Sequence, residues 1–128
     1  MKLVAEISAG ELIDKITILE IKLDHIGDEA KRANIAREYA ALTSVLHRAT
    51  DGAEDVLGLR RELKAVNAEL WRIEDEIRAQ ERVRAFGDDF IALARAVYQT
   101  NDRRALLKRE INIRTQSNIV EEKSYEAY

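Results

Sequence analysis

The residues best suited to binding or moving charge gather between positions 98 and 108: Tyr98, Asn101, Asp102, Arg104 and Lys108. An arginine offers a planar fork that grips a carboxylate or phosphate in bidentate fashion. A lysine one turn further on adds a point charge, and an amide or phenol supplies an oriented hydrogen bond. The group therefore has the chemistry of a small anion pocket. The same residues admit a second reading, because Thr100 and Arg104 fall on the heptad positions that follow Val97, where aliphatic residues would continue the seam. A polar layer in an apolar seam can fix register and oligomeric state, and its members must satisfy one another or stability falls. A third reading has Arg104 meet an acidic partner such as Asp14 or Glu11 of the first helix.

Other chemistries find less support. The chain has no cysteine, which removes disulfide frameworks, thiolate zinc sites and cysteine nucleophiles together. His25 and His47 are preceded at three positions by Lys22 and Ser44, so the Glu-x-x-His pattern of di-iron bundles is missing. No serine and acid stand placed to form a triad with either histidine. Glu69, Glu74, Asp75, Glu76 and Glu110 suggest an all-carboxylate magnesium site, but Arg72 and Arg78 lie within four residues of Glu74 and Glu76. That is the pattern of a solvated ion-pair face. Trp71, beside the seam residue Leu70, reads as a core or interface aromatic. The expectation is a protein without metal or cofactor.

The elements that must position these residues are helices. With no proline and five glycines in 128 residues, few positions are forced out of helical geometry. Ser8 followed by Glu11 is a capping-box signature that starts a first helix. Leu12, Ile16, Leu19, Leu23 and Ile26 then form a seam that Gly27 closes. Asp28 is an N-cap for a second helix over about residues 28 to 49, with Ile35, Tyr39, Leu42 and Leu46 on one face. Asp51-Gly52-Ala53-Glu54-Asp55 interrupts the pattern. Val56, Leu59, Leu63, Val66, Leu70, Ile73 and Ile77 follow as a heptad seam without a polar member, on a helix of about residues 55 to 84. Phe86-Gly87-Asp88 gives a turn, and Phe90, Leu93, Val97, Leu107 and Ile111 restart a seam antiparallel to the third. The termini read as short strands or extended arms. The architecture expected is all-α: antiparallel hairpins or a bundle of four main helices, in one domain over 1–128.

Charge is uneven along the chain. Residues 1 to 30 hold three cationic side chains against seven anionic ones, and residues 102 to 114 hold five against two. The acidic first helix and the basic end of the fourth should therefore pair, with each other or with a second copy. The overall charge of −3 and 5% aromatic content argue against a nucleic-acid footprint. No stretch is apolar enough for a membrane span or signal peptide, which places the chain in the cytoplasm. The long third-helix seam is the expected homo-oligomer surface, and a small anionic ligand is the other partner the residues suggest.

Three strings, GELIDKITILEIKLDHI, AELWRIEDEIRAQER and FIALARAVYQTNDRRALLKREIN with IVEEKSYEAY after it, resemble a family of small bacterial and phage helical proteins defined as a domain of unknown function. The resemblance spans most of the chain and implies no activity or cofactor. It does imply where the polar signature falls: Glu11, Asp14 and Lys15; then Tyr98, Asn101, Asp102, Arg104, Lys108, Glu110 and Asn112; then Glu121, Glu122, Lys123, Ser124 and Tyr125. These are the candidate ligand-binding residues. A fainter similarity joins Leu59-Arg60-Arg61-Glu62-Leu63-Lys64 to the opening helix of helical chorismate mutases, although Lys64 replaces an acidic residue there. It implies an alternative function, a small helical enzyme whose cations clamp a carboxylate or phosphate ligand. The leading reading is a self-associating interaction or scaffold protein with a small anion-binding polar layer.

Overall fold

The structure, a computed structural model, describes residues 1–49 and 54–128, with Glu54 as backbone only. The core of the expected interruption at Asp51, Gly52 and Ala53 lies outside the described residues. Among the described residues there are four α-helices, α1 (Ala9–His25), α2 (Glu29–Arg48), α3 (Leu57–Arg82) and α4 (Asp88–Arg114), with a 3-10 turn, Glu54–Val56, leading into α3. Residues 1–8 and 115–128 form neither helix nor strand, so the termini are extended arms.

Local sequence sets the helix ends. The Ser8 side chain accepts from Glu11 N–H at 3.1 Å, and Asp28 accepts from Lys31 N–H at 2.9 Å. Only half of the capping box forms, because the Glu11 carboxylate turns away to Lys108. At the other hairpin the N-cap is Gly87, with no side-chain cap bond. The left-handed residue of that turn is Arg84, φ 55°.

α1 is the central element. It packs against α2, α3 and α4, whereas α2 rests on α1 alone, and Ile35 is the one buried residue of α2. The core joins Ile13 of α1, Val56 and Leu63 at the head of α3, and Ile111 of α4. Burying side chains of this size stabilises by roughly 1.5–3 kcal/mol each. The α3 seam is therefore largely covered within the chain: Val56, Leu63, Val66 and Ile73 are buried against its own helices, and Leu59, Leu70 and Ile77 are half-buried. As an oligomer surface it is available only at its far end. Beyond Ile73 the α3–α4 hairpin outruns the rest of the bundle, and no residue between 74 and 99 is buried.

Where α1 meets α4 the backbones nearly touch. A Cβ on Gly10 would overlap the Lys108 carbonyl oxygen and lie 2.9 Å from Asn112 Oδ1, so only glycine allows this approach. Asn112 Oδ1 accepts from Gly10 N–H at 2.7 Å, and Ser117 Oγ from Ala9 N–H at 3.2 Å. Two donors that a helix start leaves unpaired are thus satisfied from α4 and the turn after it.

Candidate functional site

The close approach at Gly10 brings the acidic face of α1 against the basic end of α4. Asp14 is fully buried. Arg104 Nε–H donates to its Oδ1 at 2.9 Å and Nη2–H to its Oδ2 at 2.6 Å, the bidentate geometry that a guanidinium favours. Asn67 of α3 donates to the same Oδ1 at 2.9 Å and to Thr17 Oγ1 at 3.0 Å, and Thr17 donates to the Asp14 carbonyl at 2.8 Å. Arg104 reaches Asn101 Oδ1 at 3.4 Å with its remaining edge. The layer thus spans three helices and closes on itself. Among the described residues, no buried side-chain nitrogen or oxygen lacks a partner.

One turn along, Lys108 is also buried and donates to Glu11 Oε2 at 2.6 Å and to Glu121 Oε2 at 3.1 Å. Glu11 belongs to α1; Glu121 belongs to the C-terminal arm. That arm runs back along α4, placing Glu122 on Arg109 at 2.9 Å and the Tyr128 hydroxyl on Asp102 at 2.6 Å, with the Tyr128 ring edge-on to Tyr98.

The charges tune one another. Burial pushes the Asp14 carboxyl up, but the hydrogen bonds of Arg104 and Asn67 and the positive charges of Arg104 and Lys108 outweigh it and hold the group below its ordinary value. The Arg104 pKa is raised, chiefly by its bond to Asp14. For Lys108 desolvation acts downward, and Glu11 and Glu121 overcome it, so the ammonium is held above its usual range. Lys108 in turn draws the Glu121 carboxyl down.

Most of the predicted residues are gathered here, in different roles. Glu11, Asp14, Arg104 and Lys108 form the interlocked ion pairs, and Asn101 accepts from Arg104. Asn112 caps α1. Tyr98, Asp102, Glu121, Glu122, Lys123 and Tyr125 line the space between α4 and the arm. Three stand apart: Lys15 is exposed and only 3.9 Å from Glu11, Glu110 pairs with Arg114 on the outer face of α4, and Ser124 is exposed on the arm. Both fork nitrogens of Arg104 that would clamp an external anion are engaged by Asp14. Arg60 and Lys64, which carry the chorismate-mutase similarity, both face Glu20, at 3.6 and 3.9 Å.

Sequence reading missed Asn67 and Thr17, the two uncharged partners of Asp14. A signal for Asn67 existed: it lies four residues after Leu63 and beside Val66, on the flank of the seam that widens toward α1. Thr17 sits beside Ile16 in the same way. Trp71 is half-buried and stacks on His25 with ring centroids 5.0 Å apart. Among the described residues no group of three or more His, Asp or Glu side chains is placed to hold a metal, and no helix is long and apolar enough to cross a membrane.

No curated protein and no solved structure matches the chain. The model of the family described as "Family of unknown function (DUF6165)" matches residues 1–128, and the chain belongs to that family.

Proposed function

We propose that the protein is a helical interaction module that self-associates through the distal α3–α4 hairpin, residues 74–99. One observation carries this reading: the hairpin has no buried residue, yet it presents Ile77, Val83, Phe86, Phe90, Ile91, Leu93 and Val97. Val83 is 71% exposed, Phe86 51% and Ile91 53%. Exposed apolar side chains gathered on one hairpin favour an association surface. The charge pattern favours a second copy as the partner. From α3 into the turn after it, the acids Glu74, Asp75 and Glu76 precede Arg78, Arg82 and Arg84, with Glu81 among them, so two hairpins related by a two-fold axis would set the mainly basic stretch of each beside the acidic stretch of the other. The polar layer at the opposite end serves this role by locking α1 onto α4, which leaves the hairpin as a stiff arm.

Multi-angle light scattering over a range of concentrations tests the proposal. The expected result is a mass that rises toward a dimer in the micromolar range, and a monomer for Phe86→Ser with Ile91→Ser, both exposed positions at which the fold is retained. A concentration-independent monomer mass for the parent at high micromolar would overturn it.

A further inference from the structure

The C-terminal arm is positioned in an unusual way. Residues 118–128 are all exposed, and among the described residues no hydrogen bond holds the arm's backbone beyond those from Ser117 N–H to Asn112 O and from Ser117 Oγ–H to Ile119 O. From residue 120 onward the hydrogen bonds to α4 come from three side chains: Glu121 on Lys108, Glu122 on Arg109 and Tyr128 on Asp102. A segment held by so few exposed contacts opens at low free energy. Under it lies a cavity of about 490 Å³ whose floor is Ala105, Leu106, Lys108 and Arg109 of α4, continuing past Tyr98 into a second space of about 710 Å³. These volumes are those of small-molecule sites, and the combination of apolar wall with a few convergent charges is their usual chemistry.

Lys108 is the decisive residue. It is only 8% exposed, yet its ammonium takes a second carboxylate from the arm although Glu11 already pairs with it at 2.6 Å. Next to it in sequence, Arg109 takes a carboxylate from the following arm residue. The arm therefore presents two adjacent negative charges to two adjacent positive ones, and Tyr125 and Tyr128, both largely exposed, border the same cavity. A free molecule carrying the same features would make the same contacts.

We propose that this groove binds a small organic dianion, a phosphate monoester or dicarboxylate with a flat apolar body. Its charged end replaces Glu121 and Glu122 on Lys108 and Arg109, and the displaced arm closes over it through Tyr125 and Tyr128. The arm is then a built-in competitor whose removal uncovers the site. This site is separate from the distal hairpin and does not depend on self-association.

Isothermal titration of the full chain with phenyl phosphate and with phthalate, using phenol as the neutral control, tests the proposal. Glu121→Gln with Glu122→Gln removes the competing charges and should tighten binding of at least one dianion by about tenfold over the parent, a change of roughly 1.4 kcal/mol. Adding Arg109→Gln, at an exposed position that leaves the fold intact, should reverse that gain, and phenol should not bind. Absence of binding to the glutamine variant at millimolar dianion would overturn the proposal, as would equal affinity in parent and variant or phenol binding as well as phenyl phosphate.

Discussion

The two ends of the α3–α4 hairpin are built from the same kind of seam and behave differently. Near α1, Leu63, Val66, Ile73 and Ile111 are buried, and among the described residues no buried polar side-chain atom lacks a partner. Beyond Ile73, Ile77, Phe90, Leu93 and Val97 continue the spacing but remain half-exposed. The difference is the third helix. Two helices bury one stripe each, whereas a third covers the flanks, and it is on the flanks that Asn67, Thr17 and Asp14 meet. Ion pairs follow the same division: Asp14–Arg104 is buried on its acidic side, while Arg72–Glu76 and Arg78–Glu74 are exposed i,i+4 pairs.

Mutations at the two ends should therefore differ by an order of magnitude. The largest effect is expected for Arg104→Leu, which strands the buried Asp14 carboxylate and should cost about 3 kcal/mol in a denaturant melt. Adding Asp14→Leu should recover much of that loss, because the unpaired charge goes with it. A single-mutant loss below about 0.5 kcal/mol would erase the distinction between the ends. Gly10→Ala comes next: its methyl group collides with the Lys108 carbonyl, and the expected loss is about 1–3 kcal/mol, seen as a lower denaturation midpoint.

Acid should act on the proximal end. The Asp14 pKa is lowered in the folded protein, so its contribution is complete above the ordinary carboxyl value near ~3.9 and is lost as pH falls through the folded value. Melts from pH 6 down to pH 2 should show that loss in the parent, and Asp14→Asn should start lower and fall less. The smallest effect belongs to the distal hairpin, where Arg78→Ala removes the exposed pair with Glu74 and should change stability by less than about 0.5 kcal/mol.

What the sequence disclosed and what it withheld divide along similar lines. Helix number, the caps at Ser8 and Asp28, and the opposition of an acidic α1 to a basic α4 are local or compositional properties and were readable. For Arg104, at a seam position, the sequence left three readings open, a structural layer, a carboxylate on α1 or an anion pocket, and the contact with Asp14 is the second of them. The rest depended on contacts between segments far apart in the chain. The α3 seam suggested an oligomer surface because nothing in its spacing tells whether the covering helix is the chain's own. Nothing local to Gly10 reveals its closeness to Lys108, which appears only once α4 is laid across it. Glu11 fitted a capping box by spacing, yet an ammonium from α4 holds its carboxylate.

The joint between α1 and α4 also sets an order of events during synthesis. Asp14 and Arg104 are 90 residues apart, and the bond from Gly10 N–H to Asn112 spans 102. At translation speeds of about 5–20 residues per second, the first helix waits roughly 5–20 seconds for its counter-ion to be made. Throughout that interval Asp14 must stay in water, so α1 cannot settle into its final core while the chain is still short. Contacts this distant in sequence slow folding, and here they make the last helix the one that completes the first.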